Sequence, residues 1–397
     1  MQQVRAWRGP ALFSYGFRPF FLLAALHAAG VVALFVPWYL GALQVPSLFT
    51  PTSWHAHSLL FGYVPAVVAG FLMTAVPNWT GRLPVVGWRL IGLVAAWLAG
   101  RGAILVSAAI GPVATAVLDL TFLAALGFVI GREIIQGKNW RNLKVLGVLL
   151  VLFCANLGFH AEFALTGAAL RAERLAVAAT IVLITLIGGR IVPSFTINWL
   201  RQINPGPIPS APDRLDQAAQ AVGAVALLLW VASIDIGALR LPLAVIMGGV
   251  AIAHVVRQRR WRPERTLAEP LVAVLHVAHA FVPLGFLIVA LGLLLGDSGL
   301  ETAGLHAWTT GAVGLMTLAV MTRATRGHTG RSLAADRPTI AIYAAIIAAA
   351  LVRIVAAHHP EFAGTLLPLA ASAWVGGYLI FAVHYGRMLL TTRKAGW

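Results

Sequence analysis

Trp54-His55-Ala56-His57-Ser58-Leu59-Leu60-Phe61-Gly62 opens an apolar stretch that runs on to Val76. A helix of that length spans roughly 30 Å of hydrocarbon, so the segment reads as a membrane crossing with two imidazoles at its mouth. Ionisable groups placed there are costly and serve metal, heme or proton handling. A partner segment lies late in the chain, where His306-Ala307-Trp308 opens an equally apolar run to Met321.

The whole chain has the same character. Of 397 residues, 59% are apolar and 11% charged, with mean hydropathy +0.85; a soluble globular chain carries about 25% charge. Apolar runs fall near 17–39, 54–76, 88–110, 113–131, 143–166, 174–192, 217–235, 241–256, 269–295, 302–322, 338–357 and 363–386. The fold class expected is all-α: one polytopic transmembrane bundle over 1–397, with about twelve helices. The single cysteine, Cys154, lies inside an apolar run and is expected in the core.

A +16 formal charge is a feature of nucleic-acid-binding proteins, but here the lysines and arginines are dealt out between apolar runs rather than clustered. They report topology. With both termini cytoplasmic, all but Arg101, Arg171, Arg174, Arg240 and Arg353 of the 29 lie on one side, Arg5, Arg393 and Lys394 included. That asymmetry is the positive-inside pattern, and it supports an even number of crossings of a bacterial cytoplasmic membrane.

With this orientation the twelve histidines sort by depth. His55, His57 and His306 lie at the outer ends of helices 2 and 10, and His160 near the outer end of helix 5. His276 and His279 lie about two turns into helix 9 from the inner side, and His328 follows helix 10. His55 and His57 stand about 200° apart on a regular helix, so they face different neighbours. His276 and His279 share a face. His27, His254 and His384 are solitary in their runs, where a histidine commonly hydrogen-bonds a neighbouring helix. His358 and His359 sit beside Pro360 in an outer loop and are expected to be solvated. Asp119 on helix 4 is placed to neutralise Arg101 on helix 3.

A weak internal period adds to this. Helices 2, 6 and 10 stand four apart and end alike, in Val76-Pro77-Asn78-Trp79-Thr80-Gly81-Arg82, Val192-Pro193-Ser194-Phe195-Thr196-Ile197-Asn198-Trp199 and Arg326-Gly327-His328-Thr329-Gly330-Arg331. Three quasi-equivalent four-helix units, near 1–135, 136–262 and 263–397, would give that spacing, with sites at their interface.

Several segments together resemble the NnrS family. They are Phe13-Ser14-Tyr15-Gly16-Phe17-Arg18-Pro19-Phe20-Phe21, the segment from Trp54 to Gly62, Gly70 through Arg82, Gly189-Arg190-Ile191-Val192-Pro193, Leu275-His276, and His306 through Met321-Thr322-Arg323 to Arg331. The resemblance runs in order over essentially the whole chain. It implies a bacterial inner-membrane protein containing heme, of b type, and copper, tied to nitric oxide metabolism and relief of nitrosative stress in denitrifiers and related bacteria. By the same resemblance His55, His57, His160, His276, His306 and His328 match motif positions as metal ligands. Ser58 departs from the family pattern, which reads a glutamate after the second histidine, and the position of His279 is often aromatic in relatives. Twelve helices with histidines on helices 2 and 10 also resemble, more weakly, the heme-copper oxidase fold.

Within that frame His57 and His306 are expected as axial heme ligands, His276 and His328 as a second, inner centre, and copper near His55 or His160. Heme propionates need cations. Arg101, Arg171, Arg174, Arg240 and Arg353 are available on the outer side, and Arg82, Arg190, Arg323 and Arg331 on the inner. Imidazole suits both heme iron and copper, and nitric oxide, small and apolar, reaches such a site through lipid. Turnover is left open between a nitric-oxide-transforming oxidoreductase and a protein that only binds the gas, because buried acids are scarce. The electron donor is not legible. The alternative from another class is a twelve-helix secondary transporter for a small anion, with titrating histidines; against it, the 2–3 loop has no acid beside its basic residues.

Overall fold

The computed structural model describes residues 7–203 and 206–392. Arg5, Arg393, Lys394 and the Trp397 end lie outside the described residues. Twelve helices among the described residues are long and apolar enough to cross a membrane: α1 Phe17–Tyr39, α2 Pro51–Thr80, α3 Trp88–Leu105, α4 Pro112–Gln136, α5 Trp140–Thr166, α6 Leu170–Gln202, α7 Arg214–Ala232, α8 Gly237–Arg265, α9 Pro270–Leu295, α10 Ser298–His328, α11 Arg337–His358 and α12 Pro360–Leu390. The described residues contain no strand, so the all-α reading holds. The physical reason is that a lipid-exposed backbone must satisfy its own polar groups, and a helix does so within one segment.

The chain packs as two compact units. One comprises Met1–Ala176, Ala324–Ser332 and Tyr378–Trp397, the other Val177–Arg323 and Leu333–Gly377. In the first, Phe17, Phe20, Phe21, Phe122 and Phe159 are buried, and the Tyr63 and Tyr378 hydroxyls hydrogen-bond at 2.5 Å. Arg18 holds the end of α12 there, donating from Nη1 to the carbonyls of Leu389 at 2.8 Å and Thr391 at 2.7 Å. A cation is favourable at a helix C-terminus because the last carbonyls lack intrahelical donors. In the second unit Trp308 packs edge-on against Trp230 and Phe286, with ring centroids 5.5 and 4.9 Å apart. Its indole donates to the Val282 carbonyl at 3.0 Å.

The few carboxylates go largely to helix starts. Asp297 accepts from Leu300 N–H at 3.0 Å, Asp336 from Thr339 N–H at 3.1 Å, and Glu269 from Leu271 N–H at 3.0 Å. Asp213 and Asp216 form a reciprocal capping box at the start of α7. Each satisfies an N–H that the helix itself leaves without a partner. Large apolar side chains such as Leu165, Val113, Val245 and Val383 are instead exposed, as expected where the surrounding solvent is lipid. Cys154, expected in the core, is also exposed. A thiol is apolar enough for lipid, so a position in an apolar run does not distinguish core from bilayer face.

Helices α2 and α10 share an irregularity. Ser58–Tyr63 and Ala307–Gly314 are π-helical, each beginning directly after a histidine, His57 in one and His306 in the other. The wider turn frees carbonyls from the α-helical ladder and re-aims the side chains beside it. In α2 two of these carbonyls are recaptured by neighbours: His27 Nε2 lies 2.9 Å from Ser58 O, and Trp97 Nε1 donates to Gly62 O at 3.0 Å. His27 therefore bonds a neighbouring helix, as its solitary position implies.

Candidate metal centre

Four helices of the first unit converge on Asp119. Its Oδ2 lies 3.0 Å from His57 Nε2 on α2 and 3.0 Å from His160 Nε2 on α5. Asn156, one turn before His160, donates from Nδ2 to the same oxygen at 2.8 Å. Arg101 on α3 closes the set from the other side, its Nη2 donating to Asp119 Oδ1. The ion pair expected between helices 3 and 4 is thus present, inside a larger network. His57 and Asn156 are 0% exposed and Asp119 1%.

The walls are aromatic. Phe49 stacks on the His57 ring at 5.9 Å, Phe159 lies 4.6 Å from it, and Phe61 5.1 Å. Charges enclosed by apolar rings interact strongly, and a buried carboxylate persists only when paired and hydrogen-bonded. Asp119 meets that condition through four donors.

The donor set fixes what this arrangement can do. One ligand atom each from His57, Asp119 and His160 lies within 4.8 Å of the others. With metal–ligand bonds of about 2.0–2.2 Å, neighbouring donor atoms around one ion stand roughly 3 Å apart, and the Nε2–Oδ2 separations have that length. Without an ion, the Asn156 Oδ1, 3.0 Å from His57 Nε2, and Asp119 both call for a proton on that nitrogen. Imidazole Nδ1 of His57 is then left buried with no protein partner. Binding of an ion displaces protons from the Nε2 atoms, which couples occupancy to pH. The same Oδ2 is a point through which a proton can pass between the two imidazoles.

The other histidines and arginines singled out by the sequence are distributed as follows. His55 turns away from His57 and stacks on Phe35 at 4.0 Å, so the two do face different neighbours. His306 belongs to the second unit, half-buried before the π-helical turn of α10. His276, also in the second unit, places Nε2 2.9 Å from Thr196 Oγ1. His328 belongs to the first unit, 5.9 Å from the Tyr15 ring and 5.4 Å from Phe17. Arg82 pairs with Glu133, and Arg171 with Glu162 at 3.1 Å. Arg240 donates to Glu301 at 2.7 Å. Arg190, Arg331 and Arg353 are half-buried. His359 pairs with Glu361 at the chain's exterior.

Asn156 was not among the residues singled out. Its signal is present in the sequence: a carboxamide four residues before His160 in an apolar run lies on the same helix face as the imidazole. The family model described as NnrS protein matches residues 11–393. No curated protein matches the chain.

Proposed function

Because the chain belongs to the NnrS family, we propose that it is a heme- and copper-binding protein of the bacterial cytoplasmic membrane, both termini inside, that takes nitric oxide at a histidine-ligated metal centre and relieves nitrosative stress. The observation that carries this reading is the buried convergence of His57, His160 and Asp119.

The residues present suit a copper ion there. Two imidazoles and one carboxylate oxygen are ordinary donors for it, and Arg101 leaves only one Asp119 oxygen free to ligate. Copper would supply an open coordination position for a diatomic gas. The chain's part is to hold the donors and exclude water with Phe49, Phe61 and Phe159. Heme iron takes an imidazole nitrogen, and His276 would offer Nε2, which lies 2.9 Å from Thr196 Oγ1. With one cysteine in the chain, attachment through two thioethers is excluded and a b-type heme is the form proposed.

A spectrum tests this reading. Protein purified in detergent and reduced is expected to show a Soret band that shifts when nitric oxide is added. Colourless protein that binds no nitric oxide would instead favour the secondary-transporter alternative.

A further inference from the structure

We propose that the second unit holds a separate metal site, a two-imidazole site for monovalent copper formed by His254 Nδ1 and His279 Nε2. Neither residue receives a ligand role from the family resemblance, and the inference rests on the second unit's own side chains rather than on the nitric oxide reading.

His279 is 0% exposed and His254 1%, with ring centroids 5.8 Å apart. The tautomer of His279 follows from its neighbour. Gln258 donates from Nε2 to the His276 carbonyl at 2.6 Å, so its Oε1, 3.2 Å from His279 Nδ1, must accept a proton from that nitrogen. The lone pair is then on Nε2, which is buried and has no protein partner. His254 Nδ1 is likewise buried with no protein partner. Its ring is held flat against Phe286 at 5.9 Å, and Trp261 meets the His279 ring edge-on at 4.6 Å. Two oriented imidazoles, each with a ring nitrogen sealed from water and from protein partners, are costly unless something engages those nitrogens.

Charge selects the guest. The neighbouring acid, Asp216, is held by Arg257 Nε at 2.9 Å and is also contacted by Arg260 Nη1 at 3.4 Å. Arg257 also lies over the Trp261 ring at 5.0 Å. The site therefore offers neutral donors beside a cation, which disfavours a divalent ion that also wants about four ligands. A monovalent soft ion needs only two. With bonds of about 2.0 Å and an imidazole radius of roughly 1.1 Å, two rings across one ion have centroids about 6 Å apart. A Cβ built on Gly188 would lie 3.7 Å from both His279 Cδ2 and Met316 Cε, so a thioether side chain, another soft group, reaches the same wall.

The full-length protein, purified in detergent and loaded anaerobically with cuprous ion against a competing chelator, tests the proposal. Wild type is expected to hold one more copper per chain than the His254→Phe/His279→Phe variant, and His57→Ala is expected to keep that copper. Gln258→Ala, which removes only the orienting carbonyl, should weaken retention by about 10- to 100-fold. If the double variant fails to fold, the Gln258→Ala result alone decides. Unchanged copper in folded His254→Phe/His279→Phe protein, or unchanged retention in Gln258→Ala, overturns the site. Loss of copper in His57→Ala and not in the double variant would also overturn it while leaving the first centre standing.

Discussion

Asp119→Ala should lower the stability of the folded protein by about 3–5 kcal/mol and abolish metal binding at the first centre. The substitution removes the acceptor for His57, His160, Asn156 and Arg101 together. What it leaves is a guanidinium whose side chain is 7% exposed, with its carboxylate partner removed. Breaking a buried pair from one side costs more than the pair contributes, because the remaining charge stays desolvated. Asp119→Ala/Arg101→Leu should therefore recover much of the loss in thermal stability while still failing to hold metal. A single Asp119→Ala variant that melts with wild type would contradict the network's role.

A second large effect is expected at Gly304, for steric reasons. A Cβ there would lie 2.8 Å from Val289 N and 3.0 Å from Gly285 O, backbone atoms of α9 that cannot turn aside. Gly292 faces the Glu301 backbone nitrogen at 2.6 Å in the same way. Small residues let membrane helices approach closely and pack by van der Waals contact. Gly304→Val forces α9 and α10 apart at a cost of about 3 kcal/mol or more. Gly248→Val, whose Cβ meets nothing within 4 Å, serves as the matched control. Equal yields of monodisperse protein and equal melting temperatures for the two would argue against the close crossing.

These two positions mark where the sequence is legible. Twelve crossings follow from hydropathy alone, since run length and the bilayer thickness are both fixed quantities. The Arg101–Asp119 pair is legible too, because unlike charges in adjacent apolar helices have few other partners. The close crossing of α10 over α9 at Gly304 is not, because a glycine in an apolar run carries no record of what crosses it. The π-helical turns after His57 and His306 are equally silent, being a backbone response to packing rather than to composition. His254 looks solitary in its run, yet its partner comes from α9, and only tertiary placement reveals the pair. The three-unit division near 1–135, 136–262 and 263–397 we keep as a proposal beside the two packed units, since repeat period and packing partner are separate properties.

His57, His160 and Asp119 are expected to hold a metal ion. Metal content per chain, determined on purified wild type and on His57→Ala/His160→Ala from the same cells, tests it most directly. The folded double variant is expected to lose one equivalent of metal and with it the nitric oxide adduct formed at that centre. Equal metal content in the two proteins would contradict it.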